Sequence, residues 1–150
     1  MLDDIADAAQ WAVSKNITRK RKICLWGISY GAYAAVQTVI RYPRLFQCAA
    51  GFGGVYDWST FLDEGDSRGN PWSKRYWKWK LPVSKNDQLQ QSPMTHIDQL
   101  QRNVLIMHGK KDVRCSVNQA RRLKNQLEKH QKPHSYKAVS YTHLTLPTKA

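Results

Sequence analysis

A serine hydroxyl becomes a nucleophile only when the backbone presents it and a base accepts its proton. One serine of this sequence has such a setting. In ICLWGISYGAY, Ile23–Tyr33, an apolar run stops at Gly27, Ser29 follows two residues later, and Gly31 opens an Ala-rich stretch. The result is a G-x-S-x-G pattern between an expected strand and an expected helix, the setting of a nucleophile elbow. Side chains at the two glycine positions are expected to collide with strand or helix. The amide of Tyr30, at the helix N-terminus, is then the donor for a developing oxyanion. The plainer alternative is a small residue in a glycine-flanked turn.

Where such an elbow sits in a parallel sheet, its partners follow in the order serine, acid, histidine. The acid should lie just past a later strand. VLIMHGKKD supplies Asp112, four residues beyond His108 in the loop leaving Val104–Met107. Its task would be to fix a histidine tautomer and stabilise imidazolium. Capping of the following helix is the competing role for Asp112. Asp57, after GGVY, is the runner-up acid but leaves a different strand. Five histidines compete for the base: His96, His108, His130, His134 and His143. His108 reads as a strand-end structural residue, and His130 and His134 flank the end of a surface helix.

The elements that must position these groups are legible from hydrophobic periodicity. Leu2, Ile5, Ala9 and Val13 recur at helical spacing. KICLW, FQCAAGFGGV, Val104–Met107 and Ser135–Val139 read as strands. The GAYAAVQTVIRYP stretch and the Val117, Ala120, Leu123, Leu127 stripe read as helices, the first ended by Pro43. Strands that are continuous apolar runs alternating with helices indicate an α/β class, with a mostly parallel sheet and helices on both faces. Residues 57–95 are polar, aromatic-rich and punctuated by Gly65, Gly69, Pro71, Pro82 and Pro93, and are expected to be irregular.

Composition narrows the classes further. A chain of 150 residues suffices for one core. It has no apolar run near the roughly 20 residues of a membrane span, and acids stand where a signal peptide carries lysines. Cys24, Cys48 and Cys115 have no metal-ligand spacing, and their odd, sparse number argues against a disulfide framework. They are expected to be free, two of them as small hydrophobes. The formal charge is +13, concentrated in Thr18–Lys22, Ser73–Lys80, Lys110–Arg114 and Arg121–Lys129. Such a field suits nucleic acid or a solvated enzyme face.

GISYGAYAAV, CAAGFGGVYDW, SPMTHIDQLQRNVLIMHGKKD and the downstream Gln119 together resemble the catalytic domain of prolyl oligopeptidase-family serine peptidases. The acylaminoacyl-peptidase and dipeptidyl-peptidase branches are the nearest in pattern. The resemblance runs from about residue 3 to residue 138. It implies an α/β-hydrolase fold, hydrolysis of short peptides through an acyl-enzyme, and no metal or other cofactor. It carries Ser29 and Asp112 over as two triad members, and Tyr56 and Trp58 as residues on the substrate side of the pocket. Ala32 departs from the second glycine of the family's S-Y-G-G-Y, and its methyl group is expected to crowd the oxyanion site. Asn103 replaces a common proline.

The resemblance also implies pieces that the sequence does not contain. These are the upstream half of the catalytic domain with its early strands, a second oxyanion donor, and an N-terminal propeller. Met1 is therefore expected to lie partway along a longer protein. The family's histidine turn should follow Val139, where SYTHLTLPTKA stands instead. His143 is the one histidine in range, offset by about one position and without flanking glycines. Residues 1–139 are thus expected to be the C-terminal part of the peptidase domain. Residues 140–150 are expected to be a foreign, adapter-like tail, leaving an inactive fragment. An esterase or lipase on the same fold is the alternative enzyme. A basic nucleic-acid module built on SKRYWKWK is the alternative of another class. The expected partner is a peptide substrate, with no nucleic acid and no membrane.

Overall fold

The computed structural model describes residues 1–140, and its architecture follows from four short strands, the first three of them largely apolar. They are β1 (Cys24–Ile28), β2 (Cys48–Phe52), β3 (Asn103–Gly109) and β4 (His134–Val139). The strands pair in the order β1-β2-β3-β4, every pair parallel. Parallel neighbours need crossovers, which are supplied by α2 (Tyr30–Arg41) after β1 and α6 (Val117–Lys129) after β3. A first helix, α1 (Leu2–Ser14), buries Ala6 and Ala9 and carries Asp3 and Asp4 in its first turn, where the helix dipole favours them.

The register aligns Leu25, Ala49 and Val104 on one face, with Gly27, Gly51 and Ile106 two residues further on. α2 and α6 pack on this face, and their buried residues join Val104 and Ile106 in one core with Phe46, Ile97 and Leu100. On the other face Trp26 and Ile28 remain exposed. The two-sided covering expected from the sequence is therefore seen on one side of the described residues.

The segment expected to be irregular is largely helical. It contains α3 (Trp58–Phe61), α4 (Pro71–Lys80) and α5 (Lys85–Gln90), with 3-10 turns at Gly65–Arg68 and Pro93–Gln99. The reason is capping. The Asn70 side chain accepts from the amides of Trp72 and Ser73, and Pro71 sits at the first helical position, where its missing N–H costs nothing. Ser84 caps α5 in the same way. Pro71 and Pro93, which read as breaks, are helix starts, and Pro82 lies in the link between α4 and α5.

The cysteine expectation is corrected as well. Cys24 and Cys48 are register partners on β1 and β2, and a disulfide joins them, with Cα atoms 4.7 Å apart. Sequence spacing carries no information about register, and register is what brings the two thiols within bonding reach. Cys115 is free and buried. The bond closes a sequence separation of 24 residues. Reduction should lower the unfolding free energy by about 3 kcal/mol. Urea melts with and without reductant measure this, and coincident curves would refute it.

Candidate active site

Ser29 stands at the C-terminal edge of the sheet, between the last residue of β1 and the first of α2. Its backbone is at φ 54° and ψ −119°, a region that side chains avoid. The strain is held from both sides. The Ser29 amide donates to the Phe52 carbonyl at 2.9 Å, and its carbonyl accepts from the amides of Ala32 and Tyr33. The hydroxyl does not cap the helix. The first amides of α2 have no intrahelical acceptor by geometry, so the Tyr30 amide is free to donate outward.

The two flanking glycines have different roles. A Cβ on Gly27 would lie 2.3 Å from the carbonyl carbon and oxygen of Gly31 and 2.9 Å from the Ala32 nitrogen. A Cβ on Gly31 would meet nothing within 4 Å. The collision expected at both positions therefore exists at Gly27 alone. The expected crowding by Ala32 is not seen either. Its methyl is fully buried and faces Gly51 and Gly54, where it fills space under the turn after β2.

Asp112 shares a cleft of about 420 Å³ with Ser29, Ile28, Phe52 and Gly53. One carboxylate oxygen, Oδ1, accepts from the amides of Arg114 and Cys115 at 2.9 and 3.0 Å, which fixes the side chain. It does not cap α6, since Ser116 does that. Oδ2 lies 3.6 Å from His108 Nε2. That nitrogen is already within 2.8 Å of the Cys115 carbonyl, which assigns its proton as the donor there. His108 is fully buried and does not line the cleft. Burial lowers its pKa, with the Cys115 carbonyl and Asp112 opposing the shift. Cys115 also borders the cleft, but burial, reinforced by Asp112, pushes its thiol up to about 12. It donates to the Gly54 carbonyl and is no nucleophile.

His96 and His134 are tied to the carbonyls of Gln90 and Lys132, and His130 ends α6. None of these three lines the Ser29 cleft. His143 lies outside the described residues. Among the described residues, then, Ser29 has an acid in its cleft and no imidazole beside it.

An aromatic cavity of about 580 Å³ adjoins the elbow at Tyr30 and is walled by Tyr30, Tyr33, Trp58 and Trp77. Trp58 is its centre, with ring centroids 6.1 Å from Tyr30, 5.1 Å from Tyr33 and 5.7 Å from Trp77. Tyr56, expected beside it, is instead fully buried in the core, its ring against Gly51 and Gly54. Asp57 is also withdrawn from any acid role in the cleft. Its carboxylate caps α3 at Ser59 and faces Arg122 Nε at 3.3 Å.

Arg122 was not apparent from the sequence. Its guanidinium reaches Glu64 at 2.7 Å and the Thr60 hydroxyl at 2.7 Å, while buried Gln119 accepts from the amides of Tyr56 and Asp57. α6 thereby holds the segment that presents Trp58. The partners lie 55 to 65 residues apart, so no local pattern marks them.

A sequence model described as the prolyl oligopeptidase family matches residues 1–143. Dipeptidyl aminopeptidase BIII of Pseudoxanthomonas mexicana is 29% identical over 126 residues, covering 76% of this chain and 17% of that protein. A Mycobacterium tuberculosis puromycin-hydrolyzing peptidase superposes with a TM-score of 0.82 at 21% identity, over 92% of this chain and 21% of that one. Pyrococcus horikoshii acylaminoacyl peptidase does so with a TM-score of 0.80 at 19% identity, over 93% and 23%. The chain thus spans about a fifth of the length of these proteins. The described sheet and its helices are part of an α/β-hydrolase fold.

The elbow's strain gives two substitutions opposite signs. Ser29→Gly should stabilise the chain by about 1–3 kcal/mol, because glycine tolerates the positive φ. Gly27→Ala should destabilise it by about 1–3 kcal/mol or more through backbone overlap. Chemical denaturation reads both, and matching signs would refute the elbow geometry. His108 gives a pH dependence. Its folded-state value is lowered, so below its ordinary 6.5 the unfolded chain binds more protons than the folded one. Stability should fall as pH drops from 7 toward 5, and His108→Gln should flatten that slope.

Proposed function

The chain belongs to the prolyl oligopeptidase family, and from that premise we propose that Ser29 is the nucleophile of a serine peptidase acting on short peptides. The observation that carries this reading is the strained, uncapped Ser29 at the sheet edge, sharing one cleft with a fixed aspartate. In the reaction Ser29 Oγ attacks the scissile carbonyl carbon as its proton passes to a base. The oxyanion that forms accepts from the Tyr30 amide, at the positive end of α2. Collapse expels the amine, which takes the proton from the base and leaves an acyl group on Ser29. Water activated by the same base then releases the acid.

Asp112 Oδ2 is the free acceptor for the base's second N–H, since Oδ1 is held by two amides. The chain leaving β4 emerges at the same sheet edge as Ser29 and Asp112, because all four strands are parallel. His143 is the one histidine of the sequence beyond β4, and its offset from the family's turn makes it a weak candidate for the base. The substrate residue that donates the acyl group places an apolar side chain against Tyr30 and Trp58 in the aromatic cavity. Without an imidazole beside Ser29 among the described residues, turnover by this 150-residue chain is slow.

A fluorophosphonate probe tests the assignment. Peptide mapping should place the adduct on Ser29, and Ser29→Ala should abolish it. The rate should lie about 10²–10⁴-fold below that of a complete triad, the range a positioned base supplies. An adduct elsewhere would overturn the nucleophile. Fast labelling of Ser29 that disappears in His143→Ala would overturn the missing base.

A further inference from the structure

Only one side of α4 is absorbed by the aromatic cavity. Trp77 turns inward, with ring centroids 5.0 Å from Phe61 and 5.7 Å from Trp58, and Ser73 meets Ser67. The outer side carries Trp72 and Trp79, 77% and 76% exposed, and Tyr76, 55% exposed, stands beside them at the rim of the cavity. Their i, i+4, i+7 spacing puts all three rings in one stripe along the helix. Arg75 and Lys80 flank that stripe on either side. Lys74 and Lys78 complete a helix with four cations, no acid and no buried residue. A helix on a water-soluble face normally turns such a stripe inward. This one turns it out.

We propose that α4 docks this domain on an anionic phospholipid surface. Trp72, Tyr76 and Trp79 enter the headgroup region, where amphipathic rings are favoured, and Arg75 and Lys80 pair with lipid phosphates. The charge of the helix and of the chain selects this occupant. A second copy would set four cations against four on a chain of net charge +13, so self-association along this stripe is opposed. A single-stranded nucleic acid needs open ring faces for base stacking, and one face of the Trp79 ring is covered by Lys80 Nζ at 4.1 Å, a cation that a lipid phosphate reaches without displacing it from the ring. Peripheral docking requires no membrane span, and among the described residues no helix is long and apolar enough to be one. The proposal departs from the expectation of no membrane partner in this mode alone.

The proposal does not depend on Ser29 chemistry, because its test reads partitioning and not activity. The 150-residue chain is sedimented with phosphatidylcholine vesicles with and without phosphatidylglycerol, and tryptophan emission is recorded. Binding should require phosphatidylglycerol, weaken with added salt and shift emission to the blue. Two variants, the triple Trp72→Ser, Tyr76→Ser, Trp79→Ser and the pair Arg75→Glu, Lys80→Glu, should each weaken partitioning about tenfold or more. All five positions are exposed, and circular dichroism checks that the fold persists. Neutralising a basic run away from α4, with Arg19→Ser, Lys20→Ser and Lys22→Ser, should change partitioning by less than about threefold. The proposal is overturned by absent binding, by equal binding to neutral vesicles, or by equal binding of the α4 variants. Capture of oligothymidylate or polyglutamate in place of vesicles overturns it as well.

Discussion

The absence of a side chain at Gly27 is the constraint on which the site depends. It lets the end of β1 approach the first turn of α2 so closely that a single methyl group would overlap the Gly31 carbonyl. With strand and helix in contact, only one residue remains to reverse the chain between them, and that residue is driven to a positive φ. Ser29 is strained because Gly27 is bare. The Ser29 hydroxyl is left off the helix cap, and it stands with the Tyr30 amide at the edge where every parallel strand of the sheet ends.

The rest of the fold keeps this turn in place. The Ser29 amide is tied to β2 through the Phe52 carbonyl, and the Gly53 amide is tied to β3 through the Met107 carbonyl. The three loops at this edge are therefore linked in series, which is why Ser29 and Asp112 share a cleft although 83 residues separate them. A second linkage runs behind the first. Gln119 and Arg122 on α6 hold the Asp57–Glu64 segment by buried polar contacts, and that segment carries Trp58. Buried groups of this kind are costly unless every one is paired. They specify where the aromatic wall stands more than they add stability.

What was legible in the sequence was local. The four strands, α1, α2 and α6 show their periodicity within a dozen residues, and the elbow and Asp112 are each marked by their position just past an apolar run. What was not legible depends on register or on distant contacts. The Cys24–Cys48 bond follows from strand pairing, the burial of Tyr56 follows from two glycines and Ala32 opposite its ring, and Arg122 finds partners about 60 residues away. The 57–95 segment differs from its expectation for another reason. Its caps, Asn70 with Pro71 and Ser84, stand in the sequence, but proline and glycine mark interruptions and helix starts alike.

The central claim is that this chain builds the elbow from Gly27 and holds Ser29 strained within it. Nuclear magnetic resonance tests that directly. In labelled protein, scalar couplings across the Ser29 N–Cα bond should report a positive φ, and a Gly27 Hα should show a strong Overhauser contact to the Ala32 amide. A Ser29 in helical or extended backbone, with no contact between Gly27 and Ala32, would contradict the account.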